Sequence, residues 1–521
     1  QLGDIVATIQ AEQDQIIRSP QHGVMVVQGG PGTGKTVVAL HRAAYLLYTF
    51  RFPLEEQGVL VIGPNRVFLR YIERVLPSLG EAGVSQVVLA DLVHGHRFGR
   101  REEASVSKIK GDIRLAEVVA KAIHDRQRAL REDLAIPFGA GYLRLTVKES
   151  ARIVREARRR YRRHNAARHW VESEMVVALA ATRRDPEVDF GQLRDSLSDV
   201  EEFRVALARM WPVLTPAELL HDLFGSNALL RIAGSGILKT EEYESLYRPR
   251  SERLADVHWS DGDVALLDEA LALLGPRPRR SGKISEADEI RLYGHIIIDE
   301  VQDLTPMQLR MATRRSLNGA MTVVGDLAQG TGAFAPHEWS EILQYLPDKR
   351  EPQVFNLSVG YRIPEEIMAL ADRVMRAAAP GLQAPRSVRQ GDFPPLIVHV
   401  GSGQELRDEV VKQATNLLSA IVDGNVAVVC ADSMVDAVSE ALFLAGLDHG
   451  RANNTALDSR LTVVPVSLIK GLELDGVLVV EPVAIVEAQE NGLRALYVAL
   501  TRATQRLTVV HQRALPQPMI C

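Results

Sequence analysis

The 521-residue chain is 46% hydrophobic, which provides enough apolar residues for about three domains with their own cores. Its formal net charge of −5 excludes the overall basic character of a dedicated nucleic-acid binder, although it leaves room for a local basic groove. Two cysteines exclude a disulfide framework, and no apolar run approaches the roughly 20 residues of a membrane helix. We therefore expect a globular protein of the reducing cytoplasm that does not associate with membranes.

Short apolar runs bounded by glycine or proline predict buried parallel strands: "MVVQGG", "VLVIGP", "QVVLAD", "HIIIDE" and "MTVVGD". Helical patterns separate most of them, which is typical of an α/β sheet. The third and fourth runs lie about 200 residues apart, so we predict a mainly helical insertion between them. A second α/β series begins near residue 350 with "QVFNL", and it predicts a second, similar sheet. The predicted domains are 1–94 with 291–345, the insertion 95–290, and 346–521.

The stretch "VVQGGPGTGKT" predicts a phosphate-binding loop between a strand and a helix. Its glycines allow backbone N–H groups to converge on phosphates, Lys35 neutralises the β- and γ-phosphate oxygens, and the Thr36 hydroxyl binds Mg²⁺. A mere glycine-rich turn is the less favoured alternative. The predicted ATP-binding residues of this loop are Gly29, Gly30, Pro31, Gly32, Thr33, Gly34, Lys35 and Thr36.

The stretch "HIIIDEVQD" ends a predicted strand with two acidic residues, Asp299 and Glu300. Acidic pairs at strand ends are commonly only solvated, but a preceding phosphate-binding loop favours a catalytic role. We predict that Asp299 binds Mg²⁺ and that Glu300 orients and deprotonates the attacking water.

Several motifs occur in the order found in superfamily 1 helicases of the UvrD/Rep type, which the chain resembles over both sheets. They are "GGPGTGKT", "IIIDEVQD", "VVGDLAQ", "LSVGYRIPEEI", "SLIKGLELDGVLVVEP" and "LRALYVALTRATQRLTVV". The resemblance implies an α/β fold with two RecA-like P-loop domains and with ATP and Mg²⁺ in the cleft between them. It also implies that Gln13 reads adenine, that Tyr361 stacks on the base, that Glu473 is a ribose ligand, and that Gly471 is among the ATP-binding residues.

The same resemblance implies that three further residues reach the γ-phosphate: Gln329 as a sensor, and Arg362 and Arg502 from the second domain. Phosphoryl transfer spreads negative charge over three oxygens, and guanidinium groups supplied across a cleft stabilise this charge only when the cleft is closed. Taken alone, Arg502 would be read as a surface residue and Arg362 as a turn residue. Their motif context favours the catalytic interpretation.

The residues that hold single-stranded DNA in UvrD-like helicases are poorly matched. The segment after Gln329, "GTGAF", supplies only the aromatic residue Phe334, whereas base stacking uses several such side chains. Val466 and Ser467 replace a Thr-His pair, and Val37 replaces an arginine beside the adenine. We expect a motor that hydrolyses ATP but is poorly equipped to hold bases.

The chain also resembles HelD, a family of helicase-like ATPases that bind bacterial RNA polymerase, especially its actinobacterial forms. The stretches that carry this resemblance are "IQAEQDQIIR", "VIGPNRVFLRYIERVLPSLGE", "WPVLTPAELLHDL" and "YGHIIIDEVQDLTPMQL". The large insertion lies in the first domain, as in HelD, and little room for one remains between Arg362 and Lys470. The resemblance implies that 95–290 opens the nucleic-acid channel of the polymerase core and releases DNA and RNA. It also implies an N-terminal coiled coil, which this sequence, beginning at Gln1, lacks; we expect a monomer apart from the polymerase.

The insertion contains a basic run, "ARIVREARRRYRRHNAARHW", with eight arginines between residues 152 and 168. A solvated helix face and a contact with phosphate or polymerase both remain open. We expect Trp170, Trp211 and Trp259 to be packing residues rather than base platforms.

Three functions remain open at this point. The leading hypothesis is an ATPase that remodels RNA polymerase. The second is a 3′-to-5′ single-strand DNA translocase. The third is a non-enzymatic polymerase-binding protein whose ATP site only switches its conformation. The complete set of Lys35, Glu300, Arg362 and Arg502 argues against the third.

Overall fold

The structure is a computed structural model that forms two compact units. The first comprises Gln1–Leu89 with Leu292–Cys521, and the second comprises Ala90–Arg291. The residues it describes are 2–50, 54, 57–66, 69, 83–100, 102–139, 141–183, 190–278, 288–347, 349–452 and 459–520, with no side-chain description for 2–9.

Helices and strands are numbered here in chain order. The helices are α1 (Leu2–Arg18), α2 (Lys35–Thr49), α3 (Ala104–Gly111), α4 (Arg114–His124), α5 (Val147–Arg160), α6 (Arg168–Ala180), α7 (Phe190–Ser198), α8 (Glu201–Met210), α9 (Pro216–Phe224), α10 (Asn227–Gly234), α11 (Thr240–Leu246), α12 (Asp261–Leu274), α13 (Pro306–Thr313), α14 (Ser340–Leu343), α15 (Glu365–Ala378), α16 (Gly403–Ala420), α17 (Val435–Leu444), α18 (Pro482–Glu487), α19 (Gly492–Leu500) and α20 (Gln517–Ile520). The strands are β1 (Val24–Gly29), β2 (Val59–Ile62), β3 (Val84–Val87), β4 (Arg97–Arg100), β5 (Leu134–Phe138), β6 (Gly141–Leu145), β7 (His258–Ser260), β8 (His295–Ile298), β9 (Met321–Gly325), β10 (Gln353–Leu357), β11 (Val359–Pro364), β12 (Arg386–Arg389), β13 (Leu396–His399), β14 (Val426–Cys430), β15 (Gly450–Arg451), β16 (Leu461–Pro465), β17 (Leu474–Val480) and β18 (Ala503–His511).

The first unit contains two parallel six-stranded sheets. The first sheet has the order β10-β1-β9-β8-β2-β3, and the second has the order β13-β18-β17-β14-β16-β15. Their central strands are continuous apolar runs, such as "VAVVC" in β14, and every residue of that strand is buried. This pattern arises because helices cover both faces of a parallel sheet. The carboxyl ends of the strands therefore carry the loops available for chemistry.

The prediction that "QVFNL" opens the second sheet is wrong. These residues form β10, which pairs in parallel with β1, so that Val354 lies opposite Val26 at the edge of the first sheet. The sequence pattern identifies a strand but not its partner, because pairing in a parallel sheet is set by long-range packing. The boundary predicted at 346 therefore assigns an edge strand of the first sheet to the wrong domain.

The second unit, Ala90–Arg291, is built mainly from helices α3 to α12 together with the antiparallel hairpin β5–β6. Trp211 and Trp259 are each 1% exposed, and the Trp211 ring stacks on His164 at 5.0 Å between centroids. Trp170 packs against the same core as Trp211. The expectation that these tryptophans are packing residues is confirmed. No helix in the described parts of the chain combines the length and apolar character needed to cross a bilayer.

A buried network of charges lies inside the second unit. The ammonium group of Lys110 forms ion pairs with Glu102 and, at 2.8 Å, with Asp263, whose other oxygen lies 2.8 Å from Arg248. Burial would raise the pKa of Asp263, but Lys110 and Arg248 outweigh burial and hold this pKa below its usual value. The network therefore ties α3 to the start of α12 through charges that have little access to water.

Replacing Lys110 with methionine should leave the partly buried Glu102 carboxylate without its cation and the buried Asp263 with Arg248 as its remaining cation. We expect the free energy of unfolding of this unit to fall by about 3 kcal/mol, the usual cost of breaking a buried ion pair. Urea unfolding followed by tryptophan fluorescence measures it, because three of the four tryptophans lie in this unit. The matched control is Lys121→Met, whose exposed pair with Glu117 contributes less than about 1 kcal/mol. Equal stabilities of the two variants would contradict the assignment.

Candidate active site

The phosphate-binding loop lies between the end of β1 and the start of α2, as predicted. Gly34 caps α2 with a φ of 80°, a left-handed conformation that favours glycine. A Cβ atom at this position would also lie 2.6 Å from the hydroxyl of Tyr361. Glycine is therefore the residue that fits here, at the N-terminus of α2, where backbone N–H groups and the helix dipole attract negative charge.

Lys35 points from the first turn of α2 toward the end of β8. Its side chain is 9% exposed, and its ammonium nitrogen lies 3.9 Å from an oxygen of Glu300. The loop itself is held by Thr33, whose hydroxyl donates to the carbonyl of Gly30 at 2.9 Å. Lys35 thus sits beside both the loop and the predicted general base.

The predicted Mg²⁺ ligands Thr36 and Asp299 are in direct contact. The Thr36 hydroxyl donates to Asp299 Oδ2 at 2.7 Å, and Asp299 Oδ1 accepts from the backbone N–H of Glu300 at 2.9 Å. Burial, and then the charge of Glu300, raises the pKa of Asp299 to about 6, while Lys35 and Thr36 oppose the increase.

One hydroxyl and one carboxylate fit Mg²⁺ at a nucleotide site, where this ion keeps several waters and binds substrate phosphates. When bound, it would neutralise charge on the β- and γ-phosphate oxygens. The described residues include no cluster of three or more histidine, cysteine or acidic side chains suited to hold a metal by themselves. The fit is therefore to a metal that arrives with the nucleotide.

Glu300 adopts a left-handed backbone conformation, with φ of 50° and ψ of 41°, which is uncommon for a residue other than glycine. One of its side-chain oxygens accepts a hydrogen bond from Gln302. Burial would raise the pKa of Glu300, but Lys35, the bond from Gln302, Lys470 and Arg502 outweigh burial and lower this pKa. The carboxylate is thus kept ionised, as a general base requires.

Gln329 and Arg502 connect the two sheets. Gln329 Nε2 donates to Asp326 Oδ2 at 2.7 Å, and Arg502 Nη2 donates to Gln329 Oε1 at 2.9 Å. Arg502 is 7% exposed, and its Nε donates to the carbonyl of Val498 at 3.1 Å. Burial lowers the pKa of Arg502, with Glu300 the largest opposing influence. The structure therefore brings the predicted sensor and one predicted arginine together in the crevice that holds Lys35 and Glu300.

The residues predicted to bind adenine also reach the loop. The backbone N–H of Tyr361 donates to the carbonyl of Gly32 at 3.1 Å. Gln13 Nε2 donates to the carbonyl of Thr33 at 3.5 Å and lies 3.1 Å from where a Cβ of Gly34 would be. Both side chains are placed to line a nucleotide pocket, and their contacts with the base stay predictions.

Arg362 is the predicted site residue that the structure does not direct at the phosphate site. Its guanidinium forms an ion pair with Glu473, the predicted ribose ligand, and lies 5.5 Å from the centre of the Tyr361 ring. Its Cβ and backbone nitrogen approach the loop, at 3.2 and 3.5 Å from where a Cβ of Gly32 would be, but its guanidinium does not. Contact of Arg362 with the γ-phosphate stays a prediction, and it requires Arg362 to leave Glu473. Gly471, which precedes Glu473 by two residues, has a φ of 73°.

Sequence reasoning missed two residues of this crevice. Lys470 forms an ion pair with Asp303, which lies in the turn after β8. Gln302 donates a hydrogen bond to Glu300, and its Oε1 accepts one from the backbone N–H of Asp326 at 3.0 Å. Gln302 therefore connects Glu300 to Asp326. Their position beside the motif residues "DE" and "GLE" was a usable signal. Their partners, however, are distant in sequence.

This arrangement defines an ATP-hydrolysing enzyme of the P-loop class. A family model described as an AAA domain matches residues 13–335, and one described as the UvrD-like helicase C-terminal domain matches residues 460–510. The chain belongs to the UvrD-like superfamily 1 helicases.

The chain is similar to several curated DNA helicases. It is 29% identical over 209 residues to the ATP-dependent DNA helicase srs2 of Schizosaccharomyces pombe, covering 37% of this chain and 22% of that protein. It is 23% identical over 383 residues to the ATP-dependent DNA helicase UvrD2 of Mycobacterium bovis and of Mycobacterium tuberculosis, covering 72% of this chain and 44% of theirs. The chain thus spans less than half the length of these relatives. A solved C-terminal domain of a possible DNA helicase from Lactobacillus plantarum WCFS1 is 25% identical, covering 31% of this chain and 92% of that domain, at a TM-score of 0.26 that is too low to indicate a shared fold.

Glu300→Gln should bind ATP but fail to hydrolyse it, because the amide keeps the shape of the side chain and cannot accept the proton of water. We expect turnover to fall by about 10²- to 10⁴-fold.

Lys35→Ala should instead lose tight nucleotide binding, because the loop loses its cation. Titration with a fluorescent ATP analogue and measurement of phosphate release separate the two defects. Unchanged turnover in the first variant, or normal binding in the second, would refute the assigned role.

Proposed function

We propose that the protein is a HelD-like motor that uses ATP and Mg²⁺ to act on bacterial RNA polymerase and to release nucleic acids from stalled or inactive complexes. The observation that supports this proposal most is the position of the large insertion in the chain. A compact unit, Ala90–Arg291, is inserted between β3 and β8 of the first sheet. An insertion at this point is the arrangement that the HelD resemblance implies.

The second half of the chain has no comparable addition in its described part. Between Arg362 and Lys470, the described elements are β12 to β16 and α15 to α17 with short 3₁₀ turns. Their buried residues join the two cores that cover the second sheet. The large second-domain insertion of Rep-type helicases therefore has no counterpart among the described residues, which favours a HelD-like protein.

The loop after Gln329 also favours a protein, rather than a nucleic-acid strand, as the partner on which the motor acts. Its only aromatic side chain, Phe334, lines a small cavity together with Leu304, Pro306 and Pro336. Ser467, which replaces a histidine of the UvrD-like pattern, hydrogen-bonds Asp432 at 2.5 Å. A platform of stacked aromatic side chains is the usual means of holding single strands, and one phenylalanine is a poor substitute.

The basic run of the insertion separates into structural and exposed arginines. Arg152 pairs with Glu149, Glu156 and Glu174, while Arg158 and Arg168 donate to backbone carbonyls. For these three, the interpretation as a surface or structural side chain holds. Arg155, Arg159, Arg162 and Arg163 are exposed, as are Arg158 and Arg160, and Arg160 pairs with Glu156. We assign Arg155, Arg159, Arg162 and Arg163 to contact with the polymerase, since guanidinium groups suit interfaces.

A second candidate function is 3′-to-5′ translocation on single-stranded DNA. The relatives matched over 72% of this chain carry the name ATP-dependent DNA helicase, and this observation favours it. Those proteins are more than twice as long as the part that is matched, so their complete activity is transferred here only as a hypothesis. A non-enzymatic role is set aside, because the chain belongs to a family of ATP-hydrolysing enzymes.

ATP turnover measured with single-stranded DNA and, separately, with bacterial core RNA polymerase should distinguish the two functions. We expect the polymerase to bind and to raise turnover more than DNA does, and labelled DNA to leave a stalled transcription complex only when ATP is hydrolysed. Glu300→Gln is the matched control, because it should bind the polymerase without turnover. Strong stimulation by DNA with no binding to the polymerase would overturn the proposal in favour of the translocase.

A further inference from the structure

The loop 330–337, which directly follows Gln329, is held by side chains at the start of helix α19, which packs against the second sheet. Arg494 Nη1 donates to the carbonyls of Gly330 and Pro336 at 3.4 and 3.2 Å. Asn491 Nδ2 donates to the carbonyl of Gly332 at 3.0 Å. Three carbonyls of one short loop are therefore bound by two side chains at the start of α19.

Arg494 is an unusual side chain to find in such a place. It is 3% exposed; burial lowers its pKa and the charges of Asp326 and Glu341 oppose this, although no carboxylate forms an ion pair with it in the described part of the chain. Its third partner is a ring nitrogen of His337 at 3.4 Å. The hydrogen bonds of this buried guanidinium all go to neutral groups, and Asp326 and Glu341 offset the cost of its burial only without direct pairing, so stability alone is a weak reason for an arginine here. Its five N–H groups in a fixed plane do suit the task of holding several carbonyls in one geometry.

Helix α19 is a firm base for this contact. A Cβ atom on Gly492 would collide with the carbonyl of Val486 in α18, so the two helices meet as closely as their backbones allow. From Arg494 to Leu500, every residue of α19 is buried. The side chains at its start therefore move with the second sheet rather than with the loop.

The same helix controls the sensor residue from its other end. Arg502 follows α19 by two residues and binds Gln329 Oε1 at 2.9 Å. Arg494 and Arg502 are eight residues apart, or about 12 Å along a helix. Helix α19 and the two residues that follow it thus bind both the side chain of Gln329 and the backbone of the loop after Gln329.

We propose that Arg494, assisted by Asn491, is a positioning residue for ATP hydrolysis. By binding the carbonyls of 330–337, it fixes the chain that follows Gln329, so that Gln329 faces the nucleotide when the second sheet closes on the first. The loop then moves with α19 at each closure. This role concerns the ATP site alone and does not depend on whether the motor acts on a polymerase or on DNA.

Steady-state hydrolysis by Arg494→Ala should show a loss of kcat of about tenfold with KM changed less than about twofold, because a group that is misplaced only in the transition state lowers kcat alone. Hydrogen exchange at the amides of 330–337 should become faster. Asn491→Ala should change both quantities in the same direction but less, and Arg494→Lys should restore part of kcat through a single donor. The matched control is Arg513→Ala, which removes an exposed pair with Glu487 and should change neither.

Two outcomes would overturn the proposal. If kcat stays normal in Arg494→Ala while the loop exchanges faster, Arg494 only holds the loop and does not position the sensor. If the exchange of 330–337 is unchanged while thermal stability falls, the arginine is a packing residue. Because Asn491 is partly exposed, its variant gives the same comparison even if Arg494→Ala fails to fold.

Discussion

The hydrogen bond from Arg502 to Gln329, at 2.9 Å, is the interaction on which the rest of the active crevice depends. Arg502 belongs to the second sheet and Gln329 to the end of a strand of the first, so the bond exists only while the sheets face each other closely. A buried guanidinium needs anionic or strongly polar partners, and Glu300 and Asp326 are the acidic groups that favour its charge. The fold therefore places a cation beside Gln329, and we predict that it stabilises the negative charge that develops in phosphoryl transfer.

The remaining contacts between the sheets follow the same principle. Lys470 pairs with Asp303, and Arg494 binds the carbonyls of the loop that follows Gln329. Each contact joins a side chain of the second half to a group beside the first-half motifs. We therefore expect closure of the sheets to move several groups around the nucleotide at once and so to couple hydrolysis to motion. Arg362, which is paired with Glu473, is the group still outside this arrangement.

The sequence predicted the parts of the site that are local in the chain. Gly34, Lys35 and Thr36 follow from the loop pattern, because a strand, a tight turn and a helix start within a few residues of one another. The placement of β10 was predicted wrongly, and the contacts of Lys470 and Arg494 were not predicted. All three depend on partners more than 150 residues away, which a periodic pattern does not encode.

Single-turnover hydrolysis by Arg502→Ala most directly tests whether the second sheet completes the chemistry of the first. The variant should bind ATP as the unchanged protein does, because Lys35, Thr36 and the phosphate-binding loop are intact. The hydrolysis step should slow by about 10³-fold or more, as expected when an arginine that stabilises the transition state is removed. Hydrolysis within a few-fold of the unchanged protein would contradict the shared crevice, and the two sheets would then have to work independently.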